Sequence, residues 1–147
     1  MDIAFAFFSE HAQVTVDGRL NVLGMDIRTL QGPAFPLVVP SIFFVAKVIF
    51  EPREREGNHK FTVSIIGPDG AKVDPFIDME AVSPPPVDPE LKSAFLAVVQ
   101  IGGMAFSTPG IYRFPISVDG TELSKVGLLV KQLDQAVSQV PQGQQVE

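Results

Sequence analysis

The chain is expected to be all-β: an antiparallel β-sandwich of about eight strands with one or two short helical turns. Three observations carry this. Several short runs alternate with a period of two, as in Lys60–Gly67, where Phe61, Val63 and Ile65 would point inward and Thr62 and Ser64 outward. Asp-Gly pairs at 17–18, 69–70 and 119–120 separate such runs, and this pair suits hairpin turns because Gly takes positive φ without steric cost. Gly 12 and Pro 13 among 147 residues exceed the usual share without reaching low complexity, which fits many strands joined by turns.

In chain order, Ile3–Phe8 is the first strand, with Ile3, Phe5 and Phe7 on one face and Ala4, Ala6 and Phe8 on the other. Ser9–Ala12 reads as a turn or a single helical turn capped by Ser9. After the Asp17-Gly18 turn a strand runs from Leu20 to Leu30. Its apolar parity changes near Val22–Gly24, which calls for a bulge with Gly24 in the unusual geometry. Gln31–Pro40 reads as a proline-rich connection into SIFFVAKVIF (Ser41–Phe50), apolar on both faces apart from Lys47. Such a strand is either central with both faces covered or part of a subunit interface.

Glu51–His59 is the most charged stretch, and reads as a solvated hairpin loop or, less simply, a recognition loop carrying Arg53, Arg55 and His59. Pro68-Asp69-Gly70 turns the chain into a weaker strand, Ala71–Ala81. Ser83–Pro89 (SPPPVDP) lacks the donors to join a ladder and reads as a rigid crossover. Asp88-Pro89 can start one helical turn. Ala94–Ile101 is again apolar on both faces, with Gly102-Gly103 expected to end it. Leu133, Ala136, Val137 and Val140 fall at helical spacing before Pro141. The organisation expected is one domain over 1–133, then a short helical turn and polar tail over 134–147.

The stretch Gly110–Leu133 specifies most. Tyr112, Phe114, Ile116 and Val118 share a face, and Pro115, lacking an N–H, should sit at an interrupted ladder position or face no partner. A two-residue Asp119-Gly120 turn pairs Ile116 with Leu123 but sets Phe114 opposite Lys125. A bulge near Ser124–Lys125 is therefore expected, restoring Phe114 to Val126 and Tyr112 to Leu128. VDGRLNVLG (Val16–Gly24) resembles VDGTELSKVG (Val118–Gly127) through shared turn chemistry, without implying a repeat.

Composition bounds the chemistry. Net charge is −6, and the eleven basic residues are scattered, which argues against binding of nucleic-acid phosphates. Cys 0 removes disulfides, thiolate metal sites and a cysteine nucleophile. The first residues lack the basic start and long apolar run of a signal peptide, and no stretch reaches membrane-span length, so a cytoplasmic location without membrane association is expected. His11 and His59 are the available imidazole bases, and neither lies in a catalytic motif. No catalytic constellation is visible and no cofactor is expected. Asp69, Asp74, Asp78 and Glu80 could hold calcium through oxygen ligands. The last three share a parity, however, and read more simply as a solvated acidic face, so no metal site is assigned.

What remains is surface. Phe43, Val45 and Ile49 on one strand, and Leu96 and Val98 on another, are second-face apolar residues that short helical turns cannot cover. They are the candidate interface, toward a protein partner or a second copy of the chain. The reading is a non-enzymatic protein-binding or self-assembly module. The alternative is a carbohydrate-binding module, against which Trp 0 and Tyr 1 argue since sugar sites favour exposed Trp and Tyr, or a small-ligand-binding β-sandwich, for which a large enclosed apolar cavity would be the sign.

DGRLNVLG (Asp17–Gly24) with Met25-Asp26-Ile27 following, Ile66–Gly70 (IGPDG) and GIYRFPISVDG (Gly110–Gly120) together resemble an uncharacterised bacterial family of domains of unknown function. The resemblance spans most of residues 3–130. It implies a β-sandwich and supplies no catalytic residues.

Overall fold

A computed structural model describes residues 1–54, 57–83, 88 and 90–133. Among the described residues the strands are β1 (Asp2–Ser9), β2 (His11–Val14), β3 (Leu20–Leu23), β4 (Thr29–Gly32), β5 (Leu37–Phe50), β6 (Asn58–Ile66), β7 (Lys72–Val82), β8 (Ser93–Phe106), β9 (Gly110–Val118) and β10 (Thr121–Gln132). One 3-10 turn, Pro52–Glu54, interrupts them. The protein is thus nearly all β, as its periodicity predicts. The described residues form ten strands rather than about eight, in sheets ordered β1-β5-β8, β4-β10-β9-β6-β7 and β2-β3. Pairing is antiparallel throughout except for β4 beside β10, which is parallel. The helical tail expected over 134–147, and the prolines at 84–86 and 89, lie outside the described residues.

β5 occupies the centre of its sheet, the first of the two readings that its apolar faces leave open. Ile42, Phe43, Phe44, Val45 and Ala46 are all buried. One face (Ile42, Phe44, Ala46, Val48, Phe50) packs into a core shared with Phe61, Val63, Phe114, Ile116 and Leu128 of the five-stranded sheet. Phe8 makes edge-to-face contacts with Phe44 at 5.3 Å and Phe114 at 4.8 Å, tying the two sheets together. Burying each such ring is worth about 1.5–3 kcal/mol, with about 0.5–1.5 kcal/mol more from good ring geometry.

The other face of β5 is covered from within the chain. Phe43 and Val45 cluster with Phe7 of β1 and Ala12 of β2, against half-buried Phe5, Leu20, Val22, Leu96 and Val98. The cover is the β2–β3 hairpin, not a helical turn or another subunit. It forms because Ser9–Ala12 is not helical: β1 ends at Ser9, β2 begins at His11, and Glu10 N–H donates to Leu23 and Gly24 carbonyls across the corner.

The strand expected over Leu20–Leu30 is likewise divided. Gly24 has φ +62°, and a Cβ there would collide with the Glu10 side chain. A full break replaces the expected bulge, and the chain crosses between sheets. Ile27 N–H donates to Phe8 carbonyl at 2.8 Å, and Leu129 N–H donates to Arg28 carbonyl at 2.8 Å. Two adjacent residues thus stitch β1 to β10 and close one flank of the molecule. Gln31–Pro40 is correspondingly not all connection, because β4 holds 29–32 and β5 starts at Leu37 after a cis Phe35–Pro36 bond.

The β9–β10 hairpin has the register its sequence demands, with one correction. Phe114 pairs with Val126 and Tyr112 with Leu128, but the shift falls between Glu122 and Ser124. Ile116 therefore meets Ser124, and Leu123 is the extra residue. Asp119 (φ 53°) and Gly120 (φ 83°) form a two-residue turn with both residues left-handed. The Asp-Gly turns at 17–18 and 69–70 instead close three-residue loops, by Thr15 N–H to Arg19 carbonyl and Gly67 N–H to Ala71 carbonyl. Pro115 lies where the β6–β9 ladder is interrupted, between the pairs Val63–Ile116 and Ile66–Arg113. β6 shifts register at the same place, between Val63 and Ile65, which turns Ser64 inward against the alternation. Gly102-Gly103 does not end β8; the strand runs through to Phe106, with Gly102 opposite Ser41.

Candidate functional site

The described parts of the charged stretch, the Pro52–Glu54 turn and His59 of β6, are fastened to one another. His59 stacks on Phe50 at 4.8 Å, and its side chain is only 11% exposed. Its Nδ1 lies 2.7 Å from Asp119 Oδ2 and its Nε2 lies 2.7 Å from the Glu54 carbonyl oxygen. Both partners can only accept, so the arrangement is satisfied when the ring donates from both nitrogens, as imidazolium. The hydrogen bond to Asp119 raises the His59 pKa above 6.5; burial opposes it and the Glu54 carbonyl reinforces it. Asp119 is in turn held below 3.8 by His59 and by Lys60 N–H, which donates to Oδ1 at 2.9 Å. An imidazole with both nitrogens engaged has no lone pair for general-base catalysis. It ties the Pro52–Glu54 turn, β6 and the β9–β10 turn together.

Beside this fastening Asn58, His59, Lys60, Asp78, Glu80 and Asp119 line an open depression of about 510 Å³. Its polar side chains already have partners. Lys60 Nζ is 3.5 Å from Asp78 Oδ2, and Asn58 Nδ2 donates to Glu80 Oε2 at 3.2 Å. Among the described residues no group of three or more His, Cys, Asp or Glu side chains is placed to hold a metal ion. Arg53 is exposed on the 3-10 turn, and Arg55 lies outside the described residues. His11, the second histidine, is exposed and meets Phe43 edge-on at 4.9 Å. Tyr112, the sole tyrosine, is buried and donates its hydroxyl to the Thr108 carbonyl at 2.7 Å, so it pins the start of β9.

The five candidate interface residues share one face of the three-stranded sheet but differ in cover. Phe43 and Val45 are buried beneath the β2–β3 hairpin. Ile49, Leu96 and Val98 are half-buried. Leu96 and Val98 belong to β8, which has β5 on one side and, among the described residues, no strand on the other. β8 is fourteen residues long and contains no charged residue and no proline. Natural edge strands are protected by charge, proline, bulges or shortness. β4 is a four-residue edge, β7 carries Lys72, Asp74, Pro75, Asp78 and Glu80, and β1 is bridged to Ile27. Among the described residues β8 has none of these. Its neutrality was visible in the sequence; that it stands at an edge depends on strand order.

A family model matches residues 4–131: DUF6941, a family of unknown function. No curated protein matches the chain. Among solved structures the chain is similar to the Pseudomonas fluorescens alkylpurine DNA glycosylase AlkC bound to DNA containing an abasic site analog. Identity there is 11% and the TM-score 0.43, over 86% of this chain and 30% of that one. No helix among the described residues is long and apolar enough to cross a membrane.

Proposed function

For this chain, which belongs to DUF6941, a family of unknown function, we propose a non-enzymatic protein-binding role, in which an antiparallel-type sandwich takes up an extended partner segment along the β8 edge. One observation carries the reading: a fourteen-residue edge strand with no charge and no proline. Such an edge offers a row of backbone donors and acceptors that another strand can complete, with half-buried apolar side chains on both faces to give selectivity. The satisfied polar cluster around His59 serves the scaffold in this reading, not the recognition.

The test is titration of a fluorescent peptide of sequence Ala94–Ile101 into the protein, followed by anisotropy. Saturable binding is expected, and Val98→Lys should weaken it at least tenfold because an edge lysine resists strand addition. Binding unaffected by Val98→Lys, or absent altogether, defeats the proposal.

A further inference from the structure

Resting on that reading, we infer that the occupant of the β8 edge is β8 of a second copy, antiparallel about a two-fold axis at Ala97. Burial along the strand first says that a strand, not a covering layer, is what the edge lacks. A layer on the outer face would cover Ala94, Leu96 and Val98 alone. Yet Phe95, Val99 and Ile101, which pack against the inter-sheet core, are half-buried too. Central β5, by contrast, is buried at five successive positions, Ile42 to Ala46, on both faces. Side chains half-exposed on both faces of a sheet are missing a neighbour in its plane.

Chemistry then selects the copy. The occupant must be extended, uncharged and apolar on both faces for about nine residues before the Gly102-Gly103 pair, where Gly103 takes φ 68°. Among the described strands β5 has that character but is already paired on both sides, which leaves β8 itself. Antiparallel pairing about a two-fold axis normal to the sheet puts each residue opposite one of the same face. Ala97 is the midpoint of 93–101. An axis there sets Leu96 against Val98 of the second copy and Phe95 against Val99, each pair occurring twice. The small, fully buried Ala97 meets itself at the centre, and the polar Gln100 falls toward the ends, opposite Ala94. No like charges meet along this line despite the net charge of −6, and two three-stranded sheets become one of six strands.

The interface is about 30 Å long at ~3.4 Å per residue. That is a small interface, and a dissociation constant on the order of 10 µM is expected. Salt should strengthen it by screening the repulsion between two acidic bodies. Sedimentation velocity of the full chain, from low micromolar to about 500 µM, tests this. A dimer that Val98→Lys and the exposed-site variant Gln100→Lys both dissociate, and that Val73→Lys on β7 leaves intact, supports the inference, once circular dichroism shows each variant folded. The absence of native cysteine allows a direct reading of register. An equimolar mixture of Leu96→Cys and Val98→Cys chains should oxidise mainly to the mixed disulfide. A dimer indifferent to the β8 lysines, or without that mixed cross-link, overturns the inference. A monomer that still binds the Ala94–Ile101 peptide overturns the second copy as occupant while leaving the edge reading intact; a monomer that does not bind it defeats both.

Discussion

β7 and β8 follow one another in the chain and are both edge strands, yet they are built oppositely. β7 spaces Lys72, Asp74, Pro75, Asp78 and Glu80 along eleven residues. Asp78 and Glu80 are engaged across the ladder by Lys60 and Asn58 of β6. A strand approaching that edge would have to desolvate charges and would find no donor at Pro75. β8 offers fourteen residues with no such obstacle. Edges are usually protected because an unprotected one invites pairing. Where one edge of a molecule is guarded and its neighbour is bare, the bare edge is the informative one.

Four measurements can break or sharpen that contrast. The largest effect is expected at Phe114, in the core that the sheets of β7 and β8 share. Phe114 contacts Phe8 of β1 at 4.8 Å and Phe76 of β7 at 5.8 Å. Phe114→Ala should cost about 3–5 kcal/mol in urea denaturation, and should raise amide exchange in both edges together. If only one edge loosens, the two sheets do not share a single cooperative core.

Asp119→Ala comes next, at about 1–3 kcal/mol, since it leaves His59 Nδ1 and Lys60 N–H without their acceptor. It should loosen the β6 side that supports β7 and leave β8 unaffected by exchange. The pH dependence of stability isolates the same pair. The raised His59 pKa gives stabilisation that is complete below 6.5 and lost as pH rises through the raised value. The lowered Asp119 pKa gives stabilisation present above 3.8 and lost as pH falls through the lowered value. The contribution of the pair is therefore greatest between 3.8 and 6.5, and Asp119→Asn should flatten it; an unchanged urea midpoint profile in that variant would remove the fastening from the account. The smallest effect belongs to Val73→Lys, on the guarded edge and at a side chain 59% exposed. Stability there should change by no more than about 0.5 kcal/mol, measured by the same denaturation.

Much of the fold was legible because local chemistry dictates it. A two-residue Asp119-Gly120 turn and one face of Tyr112, Phe114, Ile116 and Val118 leave few ways to pair the hairpin. The bulge follows from keeping apolar residues opposite one another, although its placement at Leu123 rather than Ser124–Lys125 does not. The break in the Leu20–Leu30 run shows in the sequence only as a change of parity. A parity change is compatible with a bulge or a crossing, and only contacts between distant strands choose between them. The His59–Asp119 bond joins residues sixty apart, and no spacing rule anticipates it.

The sequence alone carries the nearly all-β class, the places of the Asp-Gly turns, and the apolar character of both faces of the strands at 41–50 and 94–101, the second of them uncharged. Those follow from period, parity and backbone chemistry within a few residues. Tertiary structure alone decided that the two doubly apolar strands have different fates. β5 received a strand on each side and the β2–β3 hairpin over its outer face, whereas β8, among the described residues, has β5 on one side alone. The pattern of a strand records what its faces can bury; which neighbours it is given is settled by the order of strands in the sheet.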